Sequence, residues 1–357
     1  MITLALAMIV KNEESVLARC LDSVKDIVDE LIIVDTGSTD KTVEIAKKYT
    51  DNVYHFKWIN DFSAARNYAF DQATTDYIMW LDADDIVPAD ELEKMRALKS
   101  EIDQKTDIVM MRYNVGFDDD GNVTMSNFRE RWMKRATNLR WSEPVHECIT
   151  PAGVIQQVEI AINHGEKVRT HTTRNLDIYE AQTELTARGT FYFARELATH
   201  NRFEEAIDNY ERFLSSGNGW KEDNIRACID LASCYEAIGR KAEQLNVLFK
   251  SFTYDPPRSE VCCKIGTYFF TEANYPQALY WYDLATTPNA QKEAGFFTKD
   301  YCDFIPYIQM CIIFDRIGNH EQALEYHKKS QLLKPDHPSV IFNEDYFSRL
   351  FANKSNT

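Results

Sequence analysis

Three acids, Asp82, Asp84 and Asp85, close the run "YIMWLDADD". The apolar residues before them read as a buried strand, so the acids stand at its end. Asp82 and Asp84 are two apart and share a side if the backbone is extended. Carboxylates crowded in this way repel one another, and without a cation one of them is expected to take up a proton. An oxygen-rich set of this kind suits Mg²⁺ or Mn²⁺. The same segment also reads as acids in a solvated turn, because D-x-D alone is a weak pattern.

A further acid, Asp35, ends a second apolar run in "LIIVDTGSTDKT". Asp35-Thr36-Gly37-Ser38 is also the tetrapeptide around the carboxylate of aspartic proteases. That chemistry needs two carboxylates sharing a proton, contributed by two similar β-lobes. Here the tetrapeptide occurs once and a helical pattern follows it directly, so the protease reading is excluded. Gly37 permits a sharp turn, and Ser38, Thr39 and Asp40 can cap the helix that follows. A cap requires no acid at Asp35 itself, which leaves that carboxylate for a ligand.

The elements around these acids form an alternation. Strand-like runs at 2–9, 30–35, 52–56 and 77–82 are separated by amphipathic helical patterns. In one of these, Val16, Leu17, Cys20, Leu21, Val24 and Val28 fall on one face. This alternation predicts a mostly parallel sheet covered on both faces. Such sheets place ligands in the crevice beyond the carboxyl ends of their strands. "TDIVMMRYNVGFDDDGNVTM" then predicts two strands around an Asp-Gly turn, and "RERWMKRATNLRW" and "GVIQQVEIAINH" add further strands.

Beyond residue 170 the pattern is almost wholly helical and repeats. Four second helices ("RFEEAIDNYERFLSSG", "RKAEQLNVLFKSFTYDPP", "NYPQALYWYDLATTP", "NHEQALEYHKKSQLLKPDHP") are each preceded by a first helix. Small residues recur where paired helices approach closely, at Ala206, Ala278 and Ala323, with Gln244 as the exception. These units resemble tetratricopeptide repeats, whose period is about 34 residues, with an insertion near 289–303. Tyr268, Tyr280, Trp281 and Tyr282 read either as lining a binding surface or as packing between helices. "HTTRNLDIYEAQTEL" (171–185) reads as a solvated amphipathic helix joining the two parts.

Bulk properties narrow the function. The chain has 357 residues, enough for two domains, and a formal charge of −16, which argues against a nucleic-acid partner. No apolar run approaches the ~20 residues a membrane helix needs. No basic segment precedes the apolar start, so no signal peptide is expected. The eight scattered cysteines read as reduced, consistent with a cytoplasmic location. Phosphate-loop, dinucleotide and nucleophile-elbow motifs are missing. An acidic protein with an anionic substrate must still find positive charge locally.

Taken together, "VKNEE" (10–14), "VDTGSTDKT", "ARN" (65–67) and "LDADD" resemble family-2 glycosyltransferases of the GT-A fold over about residues 1–165. With the repeats, the chain resembles the branch that contains the S-glycosyltransferases of glycocin biosynthesis. The resemblance implies three regions: a transferase domain over 1–168, a connecting helix over 169–186 and a repeat domain over 187–357. It implies that Glu13 and Asp35 hold the uridine and ribose, and that Asp40 and Arg66 line the nucleotide pocket. Asp82 and Asp84 match the metal-binding pair, with Asp82 also near the nucleotide.

"WSEPVHE" (141–147) and "INHGE" (162–166) match later motifs of this branch. They offer His164 as a further metal ligand and Glu147 as general base, with His146 its competitor. Trp141 reads equally as a platform for sugar or acceptor and as core. The expected function is inverting, Mn²⁺- or Mg²⁺-dependent transfer from a UDP-sugar to a peptide or protein held by the repeats, with a homo-oligomer allowed. Two alternatives stand beside it: transfer to an envelope glycan or lipid-linked saccharide, and a non-catalytic repeat scaffold carrying a degenerate transferase domain.

Overall fold

The computed structural model describes residues 1–118, 121–165, 172–287 and 298–354. The chain divides into two compact units, Met1–Leu185 and Thr186–Thr357.

The first unit is built on an eight-stranded sheet. Its first half contains β1 (Leu4–Val10), α1 (Leu17–Val24), β2 (Glu30–Asp35), α2 (Thr42–Ala46), β3 (Val53–His55), α3 (Phe62–Asp71), β4 (Tyr77–Met79), β5 (Asp85–Ile86) and α4 (Ala89–Glu101). Long strands β6 (Ile108–Phe117) and β7 (Val123–Lys134) follow, then the short β8 (Trp141–Ser142) and β9 (Cys148–Ile149), then β10 (Ile155–His164) and α5 (Arg174–Glu180). The sheet order is β3-β2-β1-β4-β7-β6-β10-β5, and β8 and β9 pair separately.

β1 is apolar throughout ("LALAMIV") because it is covered on both faces, as parallel strands between helical layers are. Leu4, Leu6, Met8 and Val10 face one core cluster; Ala5 and Ala7 face the other. The pairings β1–β2, β2–β3, β1–β4 and β6–β10 are parallel. β7 runs antiparallel to both β4 and β6, and β5 runs antiparallel to β10. The sheet is therefore mixed: the strand–helix alternation ends at α4, and a long hairpin enters beside β4. Because β4 stops at Met79, Asp82 and Asp84 lie beyond it, Asp84 in a turn, and Asp85 opens β5. α5 buries Leu176, Ile178 and Tyr179 within the first unit, so it is a packed helix there.

The second unit is helical. Its helices are α6 (Ala187–Thr199), α7 (Phe203–Ser216), α8 (Lys221–Ala237), α9 (Lys241–Lys250), α10 (Ser259–Thr271), α11 (Tyr275–Ala285), α12 (Phe304–Arg316), α13 (His320–Leu333) and α14 (Pro338–Lys354). α6–α7, α8–α9, α10–α11 and α12–α13 are the four expected repeat pairs, packed as in tetratricopeptide repeats. Ala206, Ala278 and Ala323 are fully buried at their crossings, and Gln244 is nearly so. A β-carbon on Gly266 of α10 would sit 3.0 Å from the Tyr282 ring of α11, which explains a glycine inside a helix.

Tyr282 is buried and Trp281 stacks on Phe252 at 6.0 Å, so these two aromatics pack between helices; Tyr280 is exposed. α14 is an additional helix that the repeat pattern did not announce. The inserted segment 289–303 falls largely outside the described residues.

Candidate active site

Arg66 joins three of the sequence motifs. Asp61 caps α3 by accepting from the Ala64 backbone N–H at 2.9 Å, which fixes the helix start one turn before Arg66. The buried guanidinium then donates from Nη2 to Asp82 Oδ1 and from Nε to Glu147 Oε1, both at 2.7 Å. Its Cζ lies 5.0 Å from the centre of the Trp80 ring and 4.8 Å from that of Trp141. Burial works against the charge, but Asp82 and Glu147 outweigh it and hold Arg66 more firmly protonated than usual. Burial likewise pushes Asp82 up, and Arg66 reverses this, so the Asp82 carboxyl lies below its ordinary range.

Glu147 arrives on the β8–β9 hairpin, which α3 holds in place. Phe62 N–H donates to Pro144 C=O at 2.9 Å, and Asn67 exchanges two 2.9 Å hydrogen bonds with the Trp141 backbone. Asn67 of "ARN" thus positions the hairpin while Arg66 binds its acid. Tyr179 of α5 donates to Val145 C=O at 3.2 Å, and its ring stacks with His146. His146 has a φ of 53°, in the left-handed region, which turns the chain between Val145 and Glu147. Trp141 is buried edge-on against Trp80 at 5.0 Å; of its two readings, core is the one observed.

The second cluster forms across the turn after β4. Asp85 N–H donates to Asp82 C=O at 3.0 Å, while Asp82 N–H donates to Asp85 Oδ2 at 3.1 Å. Residues 83 and 84 are in this turn, so the extended backbone expected to put Asp82 and Asp84 on one side does not exist. Instead β5 pairs with β10 and sets Asp85 opposite His164. Among the described residues, Asp84, Asp85 and His164 offer ligand atoms within 4.8 Å of one another. Asp82 is not in that group; it faces Arg66.

Asp85 is fully buried. Tyr113 O–H donates to its Oδ1 at 2.8 Å, and Arg131 Nη1 reaches Oδ2 at 3.2 Å. Arg131 is itself fully buried between the Trp80 and Tyr113 rings, 3.9 and 4.3 Å from their centres. Among the described residues, Asp84 has no arginine in its ion-pair contacts, where it has His164 Nδ1 at 3.7 Å. Burial raises its pKa; nearby Asp82 and Asp85 add to this and His164 opposes it. A divalent cation fits this donor set. Arg66 is engaged with Asp82 and Glu147 and Arg131 with Asp85, which leaves the Asp84 carboxylate and the His164 imidazole as the donors such an ion would meet. Gly165, directly after β10, packs against this turn: its N–H donates to Asp84 C=O at 2.8 Å, and a β-carbon there would lie 2.4 Å from that oxygen. Glu166 lies outside the described residues.

Asp35 stands at the end of β2, opposite Val10 of β1, and is 3% exposed. Its oxygens accept from Gly37 N–H at 3.2 Å and Ser38 N–H at 3.0 Å, and His55 Nδ1 lies 3.3 Å from Oδ2. Gly37, at φ 107°, makes the turn that aims both N–H groups back. Asp40 is taken up within this loop. Its oxygens accept from Thr42 N–H at 2.9 Å and Glu14 N–H at 3.1 Å, and Glu14 Oε2 accepts from Lys41 N–H at 3.0 Å. Burial would raise the Asp40 pKa, but these hydrogen bonds, led by Thr42, bring it below normal. Glu13 is half-buried beside the same loop, its N–H bound to Thr42 Oγ1 at 2.7 Å. β2 and β4 lie on either side of β1, hence about 10 Å apart at ~4.8 Å per strand.

The structure adds residues that sequence reasoning had not placed in the site: Asp85 as the buried centre of the second cluster, Tyr113, Arg129 and Arg131. Arg129 lies 5.0 Å from the Trp80 ring centre. Burial opposes its charge, but Glu130, followed by Asp82 and Glu147, holds it protonated. "RERW" carried the only available signal: two arginines two apart share one side of a strand.

Residues 6–160 match the family model for glycosyl transferase family 2. The chain is 40% identical over 151 residues to a TPR repeat-containing protein of Synechococcus elongatus, covering 42% of this chain and 36% of that one. It is 29% identical over 234 residues to the SPbeta prophage-derived glycosyltransferase SunS of Bacillus subtilis, covering 59% of this chain and 54% of that one. The chain therefore spans between a third and about half of these relatives' length. Among solved structures, YrrB, described as a TPR protein with an unusual peptide-binding site, aligns with 48% of this chain and 81% of its own. Its TM-score of 0.37 and identity of 17% are too low for that likeness to bear on the fold.

Proposed function

We propose that this chain, whose first unit carries a glycosyl transferase family 2 domain, is an inverting glycosyltransferase that moves a sugar from a UDP-sugar to a side chain of a peptide or protein. The observation that carries the reading is the Arg66 bridge, which brings Asp82 and Glu147 to one cation from 16 and 81 residues away. Asp35, with Glu13 beside its loop, receives the nucleoside across β1. Asp84 and His164 hold a divalent cation, which when bound supplies Lewis-acid stabilisation for the departing diphosphate.

Glu147 is the general base. Arg66 engages its Oε1, leaving Oε2 for the acceptor proton. His146, turned out by its left-handed backbone and stacked on Tyr179, orients the loop. As the acceptor attacks the anomeric carbon, Glu147 takes its proton and the sugar–phosphate bond breaks. Asp82 stays paired with Arg66, which offsets its charge where the nucleotide binds. Glu147→Gln keeps the shape but not the basicity. It is expected to lower turnover ~10²–10⁴-fold while donor affinity stays within about twofold, measured by release of UDP and by calorimetry. An unchanged rate would remove Glu147 from the role.

The repeat unit is assigned to the acceptor, since solenoids of paired helices present extended surfaces to polypeptides. Among the described residues no helix is long and apolar enough to cross a membrane. Mass spectrometry of glycosylated products, with a peptide panel set against lipid-linked and free saccharides, tests the acceptor class. Transfer only to saccharides would overturn the peptide assignment.

A further inference from the structure

A nucleoside held at Asp35 and a cation held at Asp84 require a diphosphate between them, and one short helix connects the two places. Glu13, beside the Asp35 loop, accepts from Val16 N–H at 3.1 Å and Leu17 N–H at 2.9 Å, so α1 starts from it. The same helix then packs on the segment that carries the second set of acids. Cys20 S–H donates to Asp82 C=O at 3.4 Å, and Val87 N–H donates to Ser23 Oγ at 3.1 Å. Arg19 precedes Cys20 on this helix and is exposed. Its guanidinium lies beside Gly165: a β-carbon on that glycine would be 2.6 Å from Arg19 Nη2, as well as close to Asp84 C=O. The missing side chain at 165 is what gives the guanidinium its place at the edge of the candidate cation site.

Charge makes this place informative. Arg66 is ion-paired with Asp82 and Glu147, Arg129 with Glu130 and Arg131 with Asp85. Among the described residues, no carboxylate is ion-paired with Arg19. A nucleoside diphosphate carries more negative charge than one divalent ion offsets, and the chain itself is acidic. A planar guanidinium engages phosphate oxygens through two parallel N–H donors.

We infer that Arg19 binds the diphosphate of the nucleotide donor, between the nucleoside at Asp35 and the cation at Asp84. This deepens the proposed transferase site and rests on that reading for the ligand. Before reaction the guanidinium holds the donor by its phosphate oxygens. As the sugar–phosphate bond breaks, its electron pair stays on the departing phosphate oxygen. The charge facing Arg19 rises at that moment, and a fixed donor aimed at growing charge stabilises it more than it stabilised the intact donor.

The test separates diphosphate from nucleoside. The full chain is titrated in Mn²⁺ with UDP by calorimetry and with uridine by nuclear magnetic resonance. Arg19→Met keeps most of the side-chain length without the charge; it should weaken UDP binding ~10-fold while uridine stays within about twofold. Arg19→Lys keeps the charge without the fork and should fall between the two. Both variants should melt with the unaltered protein when no nucleotide is present, since Arg19 is exposed and outside the described ion pairs. Equal UDP affinity in Arg19→Met and the unaltered protein overturns the inference and leaves the transferase reading standing. An equal loss for UDP and uridine also overturns it, because Arg19 would then support the pocket as a whole. An unaltered protein that binds neither ligand overturns the transferase reading, and the inference falls with it.

Discussion

Asp84→Asn should make the metal-free protein more stable and the enzyme about a thousandfold slower. The slower rate follows from losing the anionic ligand. Lewis-acid stabilisation at a departing phosphate is worth several kcal/mol, and ~4 kcal/mol corresponds to ~10³ in rate. The stability gain follows from burial, which with Asp82 and Asp85 lifts the Asp84 pKa above its ordinary value of 3.8 in the folded protein. The folded state therefore binds the Asp84 proton more tightly than the unfolded chain does. Above the folded pKa the ionised carboxylate destabilises the fold by its full amount; as pH falls through that value the penalty disappears. Asparagine removes the penalty at every pH. The metal-free variant should melt a few degrees higher at pH 7, at ~2–4 °C per kcal/mol for a unit of this size. The two proteins should converge as pH drops toward 4. Melting curves in chelator at pH 7 and 4.5, with turnover in Mn²⁺, check both parts. Equal melting at pH 7 or unimpaired turnover would show that Asp84 is not a strained ligand. The combination is the stability–activity opposition expected of a site assembled for a ligand.

Arg66→Met should have the largest effect on folding. It leaves Asp82 and Glu147 without their shared cation beside two buried indoles, Trp80 and Trp141. Breaking a buried ion pair from one side costs ~3–5 kcal/mol. The Asp82 side chain is 38% exposed, so water screens part of the loss and the lower end applies. A fall of about 10 °C in melting temperature is expected. Arg66→Lys should fall between, because one ammonium cannot reproduce the Nε and Nη2 fork that reaches two acids at once. The decisive comparison adds Asp82→Asn and Glu147→Gln to Arg66→Met. If charge compensation is the role of Arg66, the triple variant melts above the single one while remaining inactive. A triple variant no more stable than the single would mean that Arg66 contributes by packing between the tryptophans.

Local pattern was enough for what depends on neighbours in the chain. The apolar run 4–10 declares a strand buried on both faces, and the recurrent alanines declare where paired helices cross. Asp35 and Gly37 announce a turn with an acid to spare, and the structure returns two backbone N–H groups to that acid. The motifs also named Arg66, Asp82 and Glu147, which meet in one ion-paired cluster, and Asp84 and His164, which lie together in another.

What they did not carry is who partners whom. Asp82 and Asp84 look alike two residues apart, yet one faces Arg66 and the other His164, because β4 ends three residues early and the backbone turns between them. That turn is decided by β5 pairing with β10, a contact between residues 79 apart. Asp85 seemed the surplus acid of the three and is instead the buried centre of the second cluster, since only β7, entering antiparallel beside β4, brings Arg131 to it. Residue type and spacing thus fixed which groups are chargeable and which elements bear them. The pairing of charges was left to tertiary structure, because a buried charge is settled by whichever opposite group the sheet order sets next to it, at any distance along the chain.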